Sequence, residues 1–468
     1  MVSMQGGQES QVIKELVDRA RKVLPQLEKY NQEQIDEIVT AIAWAGCKKG
    51  IAEYLAKFAT EETGYGNNED KIKKIRNKTK GTLRDLKSEK SVGIIDVNEK
   101  TGITRIAKPK GVIGALIPVT NPEATPIHNA MIALKGANAI IFAPHPRGKK
   151  TCAEVVRLIH EELAKVGAPL EAVQYIPEPT IELSQELMRN VDFVIATGGQ
   201  AMVKAAYSSG TPAIGVGPGN PPVIIDSSAD IDDAVDKIST GTTFDYSSSC
   251  SNESCLIIEE SIYGEVLEKL KNKGGYLLSD VEKGKLEKIL WQNGTLNRDV
   301  IIRSPQVIAS KAGLGKEALQ AKFFLVEEEG IGEDYPFSRE KLSVILTLYK
   351  YSTFEDAIDK VNQVCSFSAP GHSCGIHSHN EEHIQRLAKA VPVCRVLVNQ
   401  VHVFGNGGFF NNGLWFTLSL GCGSWGGTST DDNLTYYHLI NITKLVRVIP
   451  EVIPTDEELW GNYIRKYG

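Results

Sequence analysis

The sequence predicts an α/β fold whose first part is a parallel sheet covered by helices on both faces. After Gly111, short β-branched runs alternate with helical segments, and the glycine turn 197–199 lies between a run and a helix. This alternation is typical of the Rossmann-like sheet of a dinucleotide-binding domain. The predicted strands are 112–117, 139–142, 173–176, 193–196 and 222–225, and the predicted helices are 124–134, 149–166, 181–188 and 200–207.

Helices and one hairpin are predicted ahead of this sheet. Apolar residues from Ile13 to Leu24 recur at spacings of three and four, and 31–45 and 51–60 follow the same pattern. Residues 92–106 hold two short β-branched runs around a turn, which predicts a hairpin that is either an oligomer arm or a plain surface ribbon. The basic run 71–78 is most simply a solvated helical face.

The second half of the chain predicts another α/β domain, which begins near Ile231 and includes a strand at 396–398. It again mixes helical segments with short β-branched runs. A glycine- and aromatic-rich segment follows it. The last part of the chain predicts a helix at 434–445 and a strand at 446–453.

Composition excludes several classes of protein. With 468 residues and a formal net charge of −6, the chain has room for two or three domains and no basic excess for nucleic acid or an anionic membrane. No apolar run approaches the roughly 20 residues of a membrane helix, and no signal peptide is recognisable. The eight cysteines are scattered without a C-x-x-C pair, so we expect reduced thiols in the cytoplasm and no metal site.

One thiol has the setting of a nucleophile. Cys250 lies among small polar residues just ahead of the apolar run 256–258, whereas Cys255 is placed like a structural cysteine. A thiol just before the start of a strand is accessible to a substrate. The glycine-rich turn 215–219, which has few side chains, lies upstream in the sequence. This pattern indicates acyl or hydride chemistry through a thioester, and its alternative is a buried, inert thiol.

Three further elements could serve such a nucleophile. Asn121 follows a predicted strand, where its amide can stabilise an oxyanion or cap the next helix. Residues 197–199 lie between a strand and a helix, so their N–H groups can face a phosphate. His372 lies in a loop, where it can act as a base or an orienting donor or can simply be solvated.

Together and in this order, these pieces resemble the aldehyde dehydrogenase superfamily, and more closely its coenzyme A-acylating branch of acetaldehyde, propionaldehyde and succinate semialdehyde enzymes. The resemblance spans nearly the whole chain. The motifs that carry it are Ile117-Pro118-Val119-Thr120-Asn121-Pro122, Ala143-Pro144-His145-Pro146, Ala196-Thr197-Gly198-Gly199, Gly215-Val216-Gly217-Pro218-Gly219-Asn220, Cys250-Ser251-Asn252-Glu253, Gly371-His372-Ser373 and Leu420-Gly421-Cys422-Gly423-Ser424-Trp425-Gly426.

The resemblance implies a reaction and its catalytic residues. Cys250 attacks an aldehyde, and the Asn121 side chain and the Cys250 N–H hold the oxyanion of the thiohemiacetal. Hydride passes to NAD or NADP, and coenzyme A then takes the acyl group from the cysteine. His372 matches the histidine that this branch has near the thiol, and its role stays open.

The resemblance also implies a cofactor site. Residues 197–199 would lie along the pyrophosphate, and Glu340 matches the ribose-binding carboxylate of the family. Because Ala143 and Pro146 replace the usual lysine and glutamate, and Arg147 lies close by, NADP is possible beside NAD. The cofactor-binding residues implied are Pro118, Thr120, His145, Pro146, Arg147, Thr197, Gly198, Gly199, Gly215, Gly217, Gly219 and Glu340.

The segment 215–219 separates acylation from hydrolysis. Hydrolytic relatives carry a general-base glutamate in a Glu-Leu-Gly-Gly segment, whereas this chain has no carboxylate at the matching place. Loss of the base spares the thioester from water and leaves it to a thiol acceptor. The alternatives are a hydrolytic enzyme with Glu253 or Glu340 as its base, and a non-redox cysteine acyltransferase that uses Cys250 and His372.

The substrate pocket is predicted at Ser249, Ser251, Arg395, His402 and Phe404. Serine hydroxyls, Arg395 and His402 could bind an anionic head, whereas Phe404 and neighbouring aromatic residues could line an apolar pocket for an alkyl aldehyde. We favour a small anionic aldehyde such as succinate semialdehyde or sulfoacetaldehyde.

The domain organisation is expected to follow the same family. A cofactor-binding domain is placed at 1–91 and 107–226, a catalytic domain at 227–430, and oligomerisation elements at 92–106 and 431–468. We therefore expect a homodimer or homotetramer whose ligands are a small aldehyde and coenzyme A.

Overall fold

The first unit of the structure is a five-stranded parallel sheet. The computed structural model describes residues 2–468, with side chains from Ser10 onward. In spatial order the strands are Val173–Tyr175, Ala139–Pro144, Val112–Ile117, Phe193–Thr197 and Ala213–Val216. The strand order reverses beside Val112–Ile117, and ligands of doubly wound sheets bind at such a reversal, beyond the carboxyl ends of the strands.

Helices cover both faces of this sheet, so its central strands are buried along their whole length. All residues of Val112–Ile117 and Ala139–Pro144 are buried, as expected for parallel strands between two helical layers. The predicted α/β fold is confirmed. The helices of this unit are Val2–Leu27, Gln32–Cys47, Ile51–Thr63, Asn68–Lys87, Thr125–Lys135, Lys149–Lys165, Ile181–Asn190 and Gln200–Tyr207.

The second unit is a seven-stranded parallel sheet. In spatial order its strands are Gly275–Leu277, Phe323–Glu327, Ile345–Tyr351, Cys255–Glu259, Pro222–Ile225, Cys374–His377 and Val396–Val398. Its helices are Ile231–Thr243, Tyr263–Asn272, Asp280–Leu290, Pro305–Ala312, Phe354–Phe367, Glu381–Ala390 and His402–Gly405, and a short ribbon pairs Trp291–Gln292 with Thr295–Leu296.

One strand belongs to a different sheet from the one that the sequence pattern indicates. Pro222–Ile225 pairs with Cys255–Glu259 and Cys374–His377, so it is part of the second sheet and not the last strand of the first. The second unit therefore begins before residue 226. The reason is that its partner strands come later in the chain, and a local pattern of apolar residues does not report which strands pair.

A small antiparallel sheet joins the predicted hairpin to the C-terminal part of the chain. Its strands, in order, are Gly93–Asn98, Ile103–Pro109 and Ile440–Val446. The hairpin is therefore present, but the predicted helix at 434–445 and strand at 446–453 are wrong. Ile440–Val446 pairs along its whole length with a strand far away in sequence, and that pairing overrides local helix propensity. The chain ends in the helix Asp456–Tyr467.

The described residues contain neither a membrane-spanning helix nor a cluster of metal-ligating side chains. No helix between residues 2 and 468 is long and apolar enough to cross a membrane. In the same part of the chain, no group of three His, Cys, Asp or Glu residues is arranged to hold a metal ion. The eight cysteines all lie within it as free thiols.

Candidate active site

A cavity of about 270 Å³ lies beyond the carboxyl ends of the first sheet. The loops after Val112–Ile117 and Phe193–Thr197 form one wall, and the loop before Cys255–Glu259 forms another, so the cavity joins the two units. The predicted site residues on its surface are Pro118, Thr120, Asn121, His145, Thr197, Gly198, Gly199, Gly217, Ser249, Cys250, Ser251 and Glu340.

The thiol of Cys250 is paired with a histidine from a distant loop. Its Sγ lies 3.2 Å from Nε2 of His372, and Nδ1 of His372 lies 2.8 Å from Oγ of Ser373. In the tautomer that carries its proton on Nδ1, the ring donates to Ser373 and leaves Nε2 free to accept the thiol proton. His372 therefore does not lie in solvent, and its ring can act as a base toward Cys250.

Burial keeps both members of this pair uncharged. Desolvation raises the pKa of the Cys250 thiol to about 12, and the nearby carboxylate of Glu340 adds to the effect. Desolvation also lowers the pKa of His372 well below its usual value, and the charge of Arg395 acts in the same direction. The resting site therefore holds a neutral thiol and a neutral imidazole, and the thiolate forms only as its proton leaves.

Asn121 is oriented by a lysine that the sequence pattern does not single out. Oδ1 of Asn121 accepts a hydrogen bond from Nζ of Lys74 at 2.6 Å, and Nδ2 donates to Oγ1 of Thr120 at 3.1 Å. Because an amide nitrogen carries two hydrogens, one N–H of Asn121 remains for a ligand in the cavity. The Lys74 contact also determines which end of the amide is the donor.

Lys74 belongs to a buried charge cluster centred on Asp245. The carboxylate of Asp245 accepts from Nζ of Lys74 at 2.5 Å, from Nζ of Lys71 at 3.2 Å and from Oγ of Ser248 at 2.7 Å. Burial by itself would raise the pKa of Asp245, but the charges of Lys71 and Lys74 outweigh it and lower that pKa. A second carboxylate, Glu123, lies 3.4 Å from Nζ of Lys71.

This cluster holds a strained turn just ahead of the thiol. Asp245, Tyr246 and Ser247 have φ values of 49°, 52° and 58°. These values lie in the left-handed region, which residues other than glycine seldom adopt. Each such residue costs on the order of 1–3 kcal/mol and persists only where its surroundings enforce it. The ion pairs of Asp245 provide that enforcement and so determine where Cys250 lies.

The interpretation of 71–78 as a solvated face is wrong. Lys71 and Lys74 are buried, and Lys78 lines the cavity. Their spacing of three and four places all three on one side of the helix Asn68–Lys87, which was the available signal. The sequence could not reveal their counter-ions, because Asp245 lies more than a hundred residues away in the chain.

The predicted cofactor residues form an open backbone surface on one side of the cavity. Side chains built at Gly199 or Gly217 would meet no atom within 4 Å, so a ligand can approach this backbone closely. Gly199 also precedes the helix Gln200–Tyr207, whose N-terminal N–H groups favour a phosphate. These features fit a dinucleotide, and Glu340 lines the same cavity.

Glu340 and Gly219 meet beside the thiol. Oε1 of Glu340 accepts from the N–H of Gly219 at 3.0 Å, and burial raises the pKa of Glu340 to about 7. A side chain at Gly219 would come within 2.0 Å of the carbonyl oxygen of Cys250, so only glycine fits there.

Glu253, by contrast, is absent from the cavity lining, and its Oε1 accepts from the N–H of His402 at 2.7 Å. Burial raises its pKa to about 8.

Four predicted cofactor residues lie outside the cavity lining: Pro146, Arg147, Gly215 and Gly219. Gly219 packs against the backbone of Cys250 instead. Gly215 lies in the strand Ala213–Val216, where a side chain would collide with Val203 at 2.4 Å, so it serves close packing. Pro146 begins a short helical turn. The Arg147 guanidinium donates to the carbonyl of Thr63 at 2.7 Å and stacks over a tyrosine ring.

A smaller cavity of about 40 Å³ adjoins the first and shares Lys78, Asn121, Ser249, Val403 and Leu418 with it. Phe404 lines this smaller cavity and is stacked on Phe409 with 5.2 Å between ring centres. The wall therefore combines aromatic rings with lysines. The remaining residues of its lining are Lys73, Lys74, Asn77 and Phe244.

Arg395 and His402 lie outside both cavities, contrary to the expectation that they bind a head group. Arg395 donates to the carbonyl of His372 at 3.2 Å and to Oδ1 of Asn433 at 3.0 Å. Nδ1 of His402 lies 2.9 Å from the carbonyl oxygen of Ser251. Both side chains brace the loops that carry His372 and Cys250, because their polar atoms are directed at backbone carbonyls.

Comparison with known proteins indicates the class of enzyme that the sequence motifs predict. The aldehyde dehydrogenase family model matches residues 1–278. A sulfoacetaldehyde dehydrogenase (acylating) of Cupriavidus necator is 43% identical over 461 residues, which cover 98% of this chain and 94% of the relative. A succinate-semialdehyde dehydrogenase (acetylating) of Clostridium kluyveri is 41% identical, with 96% and 99% covered.

Solved structures agree with these relatives. An acetylating aldehyde dehydrogenase from Geobacillus thermoglucosidasius superposes with a TM-score of 0.92 at 39% identity, covering 96% of this chain and 99% of that one. The chain therefore belongs to the aldehyde dehydrogenase family. The prediction of the coenzyme A-acylating branch, with NAD or NADP as cofactor, is also confirmed.

The charge cluster predicts a large stability effect for Asp245→Asn. The variant keeps the shape of the side chain but leaves the buried Lys74 without a carboxylate, which typically costs about 3–5 kcal/mol. Urea denaturation followed by tryptophan fluorescence should show a correspondingly lower midpoint. Glu69→Gln is the control, because it removes an exposed partner of Lys73 and should leave the midpoint unchanged. Equal midpoints for Asp245→Asn and wild type would contradict the role of the cluster.

The raised pKa of Cys250 predicts the pH dependence of its alkylation. Iodoacetamide reacts with the thiolate, so below a pKa of about 12 the rate should rise about tenfold per pH unit without a plateau. The rate is measured between pH 7 and pH 10 by mass spectrometry of the peptide that contains Cys250, with Cys250→Ser to assign the signal. A plateau below pH 9 would mean that the site holds a preformed thiolate instead.

Proposed function

We propose that this coenzyme A-acylating aldehyde dehydrogenase acts on a small anionic aldehyde through an acyl-Cys250 intermediate. The overall reaction converts the aldehyde, coenzyme A and NAD(P)⁺ to acyl-coenzyme A, NAD(P)H and a proton, and it is reversible. The observation that carries the proposal is the 3.2 Å contact between Cys250 and His372 at a cavity that also presents Asn121.

The proposed mechanism assigns a task to each of these residues. The sulfur of Cys250 attacks the aldehyde carbon as its proton passes to Nε2 of His372. The free N–H of Asn121 and the backbone N–H of Cys250 stabilise the oxyanion of the thiohemiacetal. The bound nicotinamide supplies a hydride acceptor, so the carbon is oxidised to the level of a thioester. The thiol of coenzyme A then attacks the acyl carbon and releases its proton, and Cys250 leaves as a thiolate that takes back the proton held on Nε2 of His372.

The arrangement of carboxylates supports acylation rather than hydrolysis. The segment 215–219 carries no carboxylate, and Glu253 accepts a backbone hydrogen bond away from the cavity. Glu340 faces the cavity, but its Oε1 is engaged by Gly219. Water near the thioester therefore lacks a carboxylate base, and a stronger nucleophile such as a thiol is needed to release the acyl group.

Two observations support an anionic aldehyde. Relatives that share over 40% identity along nearly the whole chain are named for sulfoacetaldehyde and for succinate semialdehyde, and both aldehydes carry an acidic group. The smaller cavity beside the thiol is lined by Lys73, Lys74 and Lys78. A cationic wall stabilises a bound sulfonate or carboxylate through charge-assisted hydrogen bonds, and it does not stabilise a bound alkyl chain.

An assay of reduced-cofactor formation tests this function. Sulfoacetaldehyde, succinate semialdehyde and propionaldehyde are compared with NAD and NADP, each with and without coenzyme A. We expect turnover that requires coenzyme A, prefers an anionic aldehyde, and falls about a thousandfold or more in Cys250→Ala. Cys47→Ala, which removes a thiol outside the cavity, should match wild type. Turnover that is indifferent to coenzyme A would contradict acylation.

We also propose that the protein is a homodimer or homotetramer in the cytoplasm. The small sheet and the last helix expose several apolar side chains, including Val97 and Trp460, which is unusual for a surface in contact with water. The free cysteines suit a reducing compartment. The hairpin and the C-terminal segment are the proposed oligomerisation elements, and their edge strands can pair with a second copy.

Substitution on an edge strand tests the oligomer. Val446→Asp places a charge on the small sheet, where Val446 is 67% exposed, and should lower the mass measured by light scattering after gel filtration. Val281→Asp is the control, because Val281 is 72% exposed on a helix of the other unit and should leave the mass unchanged. A wild-type mass of one chain would refute the proposal.

A further inference from the structure

The amino group of Lys78 lies at the active-site cavity without a counter-ion. Within the described residues, no carboxylate oxygen lies within 4 Å of its Nζ, whereas Lys74 is paired with Asp245 and Lys73 with Glu69. Lys78 is also the lysine that lines both cavities. It therefore has the position and the free charge to meet an anion that is bound next to Cys250.

The ammonium group of Lys78 is held in place and still has a free donor. Nζ donates to the carbonyl oxygens of Gly407 and Gly408 at 2.7 and 3.2 Å, and it lies 5.4 Å from the centre of the Phe416 ring. An ammonium has three N–H donors, so one remains after the two carbonyls are satisfied. Ser249 lines the same two cavities, and its hydroxyl can complete the hydrogen bonds of a bound anion.

The electrostatic environment of the Lys78 amino group favours the binding of an anion beside it. Burial lowers the pKa of Lys78 to about 7, and repulsion from Lys74 adds to the effect. An isolated ammonium in such a place is therefore poorly stabilised. An anion beside it would restore the charge that desolvation disfavours, so binding of the anion and protonation of Lys78 reinforce each other.

We propose that Lys78 binds the sulfonate or carboxylate of the aldehyde substrate and thereby selects anionic over neutral aldehydes. This assignment rests on the proposed function, because it requires that the aldehyde carries an anionic group. The same contact orients the aldehyde, since the head group is held at the smaller cavity while the carbonyl carbon faces Cys250. Phe404 and Phe409 also line that cavity.

The test compares anionic and neutral aldehydes in Lys78→Met. Loss of a charge-assisted hydrogen bond should lower kcat/KM for sulfoacetaldehyde and succinate semialdehyde by about 10- to 100-fold, mainly through KM. The kcat/KM for propionaldehyde should stay within about threefold, which also shows that the variant is folded. Ethanesulfonate, which carries the head group without an aldehyde, should inhibit wild type competitively and the variant much less.

Two further variants serve as controls. Lys80→Met removes an exposed charge two residues along the same helix, outside both cavities, and should match wild type with every aldehyde. Lys78→Arg keeps the charge and should keep the preference for anionic aldehydes. If Lys78→Met melts at a lower temperature than wild type, Lys78→Arg and Lys78→Gln are compared instead. The role of Lys78 then requires that the ratio of kcat/KM for anionic and neutral aldehydes is kept in Lys78→Arg and falls in Lys78→Gln.

The outcomes separate this assignment from the proposed function. If wild type prefers anionic aldehydes and Lys78→Met keeps that preference, the role of Lys78 is refuted and the function stands. If wild type uses propionaldehyde but neither anionic aldehyde, both proposals fail. A rise in KM for coenzyme A, with the aldehyde preference unchanged, would assign Lys78 to a phosphate of coenzyme A and would overturn the proposal.

Discussion

The buried pairing of Asp245 with Lys71 and Lys74 is the interaction on which the active-site geometry depends. It ties the helix Asn68–Lys87 to the strained turn before Cys250 and, through Lys74, to the side chain of Asn121. Hydrogen bonds to a charged group contribute about 1.5–3 kcal/mol each, which is comparable to the cost of each left-handed residue. The nucleophile and the oxyanion donor are thus positioned by one cluster of charges.

Desolvation is the common cause of the unusual protonation states around the thiol. It raises the pKa values of Cys250 and Glu340 and lowers those of His372 and Lys78, so each group moves toward its neutral form. A site of this kind avoids standing charges and creates them only during the reaction, where fixed donors can stabilise them. It also keeps part of the Glu340 carboxyl protonated near neutral pH, so less of it can act as a base toward water, which suits an enzyme whose thioester must survive until a thiol arrives.

Two glycines show why the family motifs have their form. Gly371 has a φ of 76°, and a side chain there would lie 1.9 Å from the carbonyl oxygen of Cys422. Gly219 is equally close to the backbone of Cys250. Both positions need glycine for close backbone approach, and both adjoin a residue of the thiol–histidine pair. The glycine-rich segments therefore bring two chain segments together around the thiol as well as leaving room for a ligand.

The sequence by itself determined the α/β class, the family, the hairpin and the reactive setting of Cys250, because each leaves a local pattern of apolar periodicity, turn residues or motif order. Tertiary structure decided the rest. It paired the strand Ile440–Val446 with the hairpin, directed Arg395 at backbone carbonyls, and buried Lys71 and Lys74 in a charge cluster while it placed Lys78 at the cavity. These outcomes depend on partners far away in the chain, and neither burial nor charge compensation can be read from a residue's neighbours in sequence.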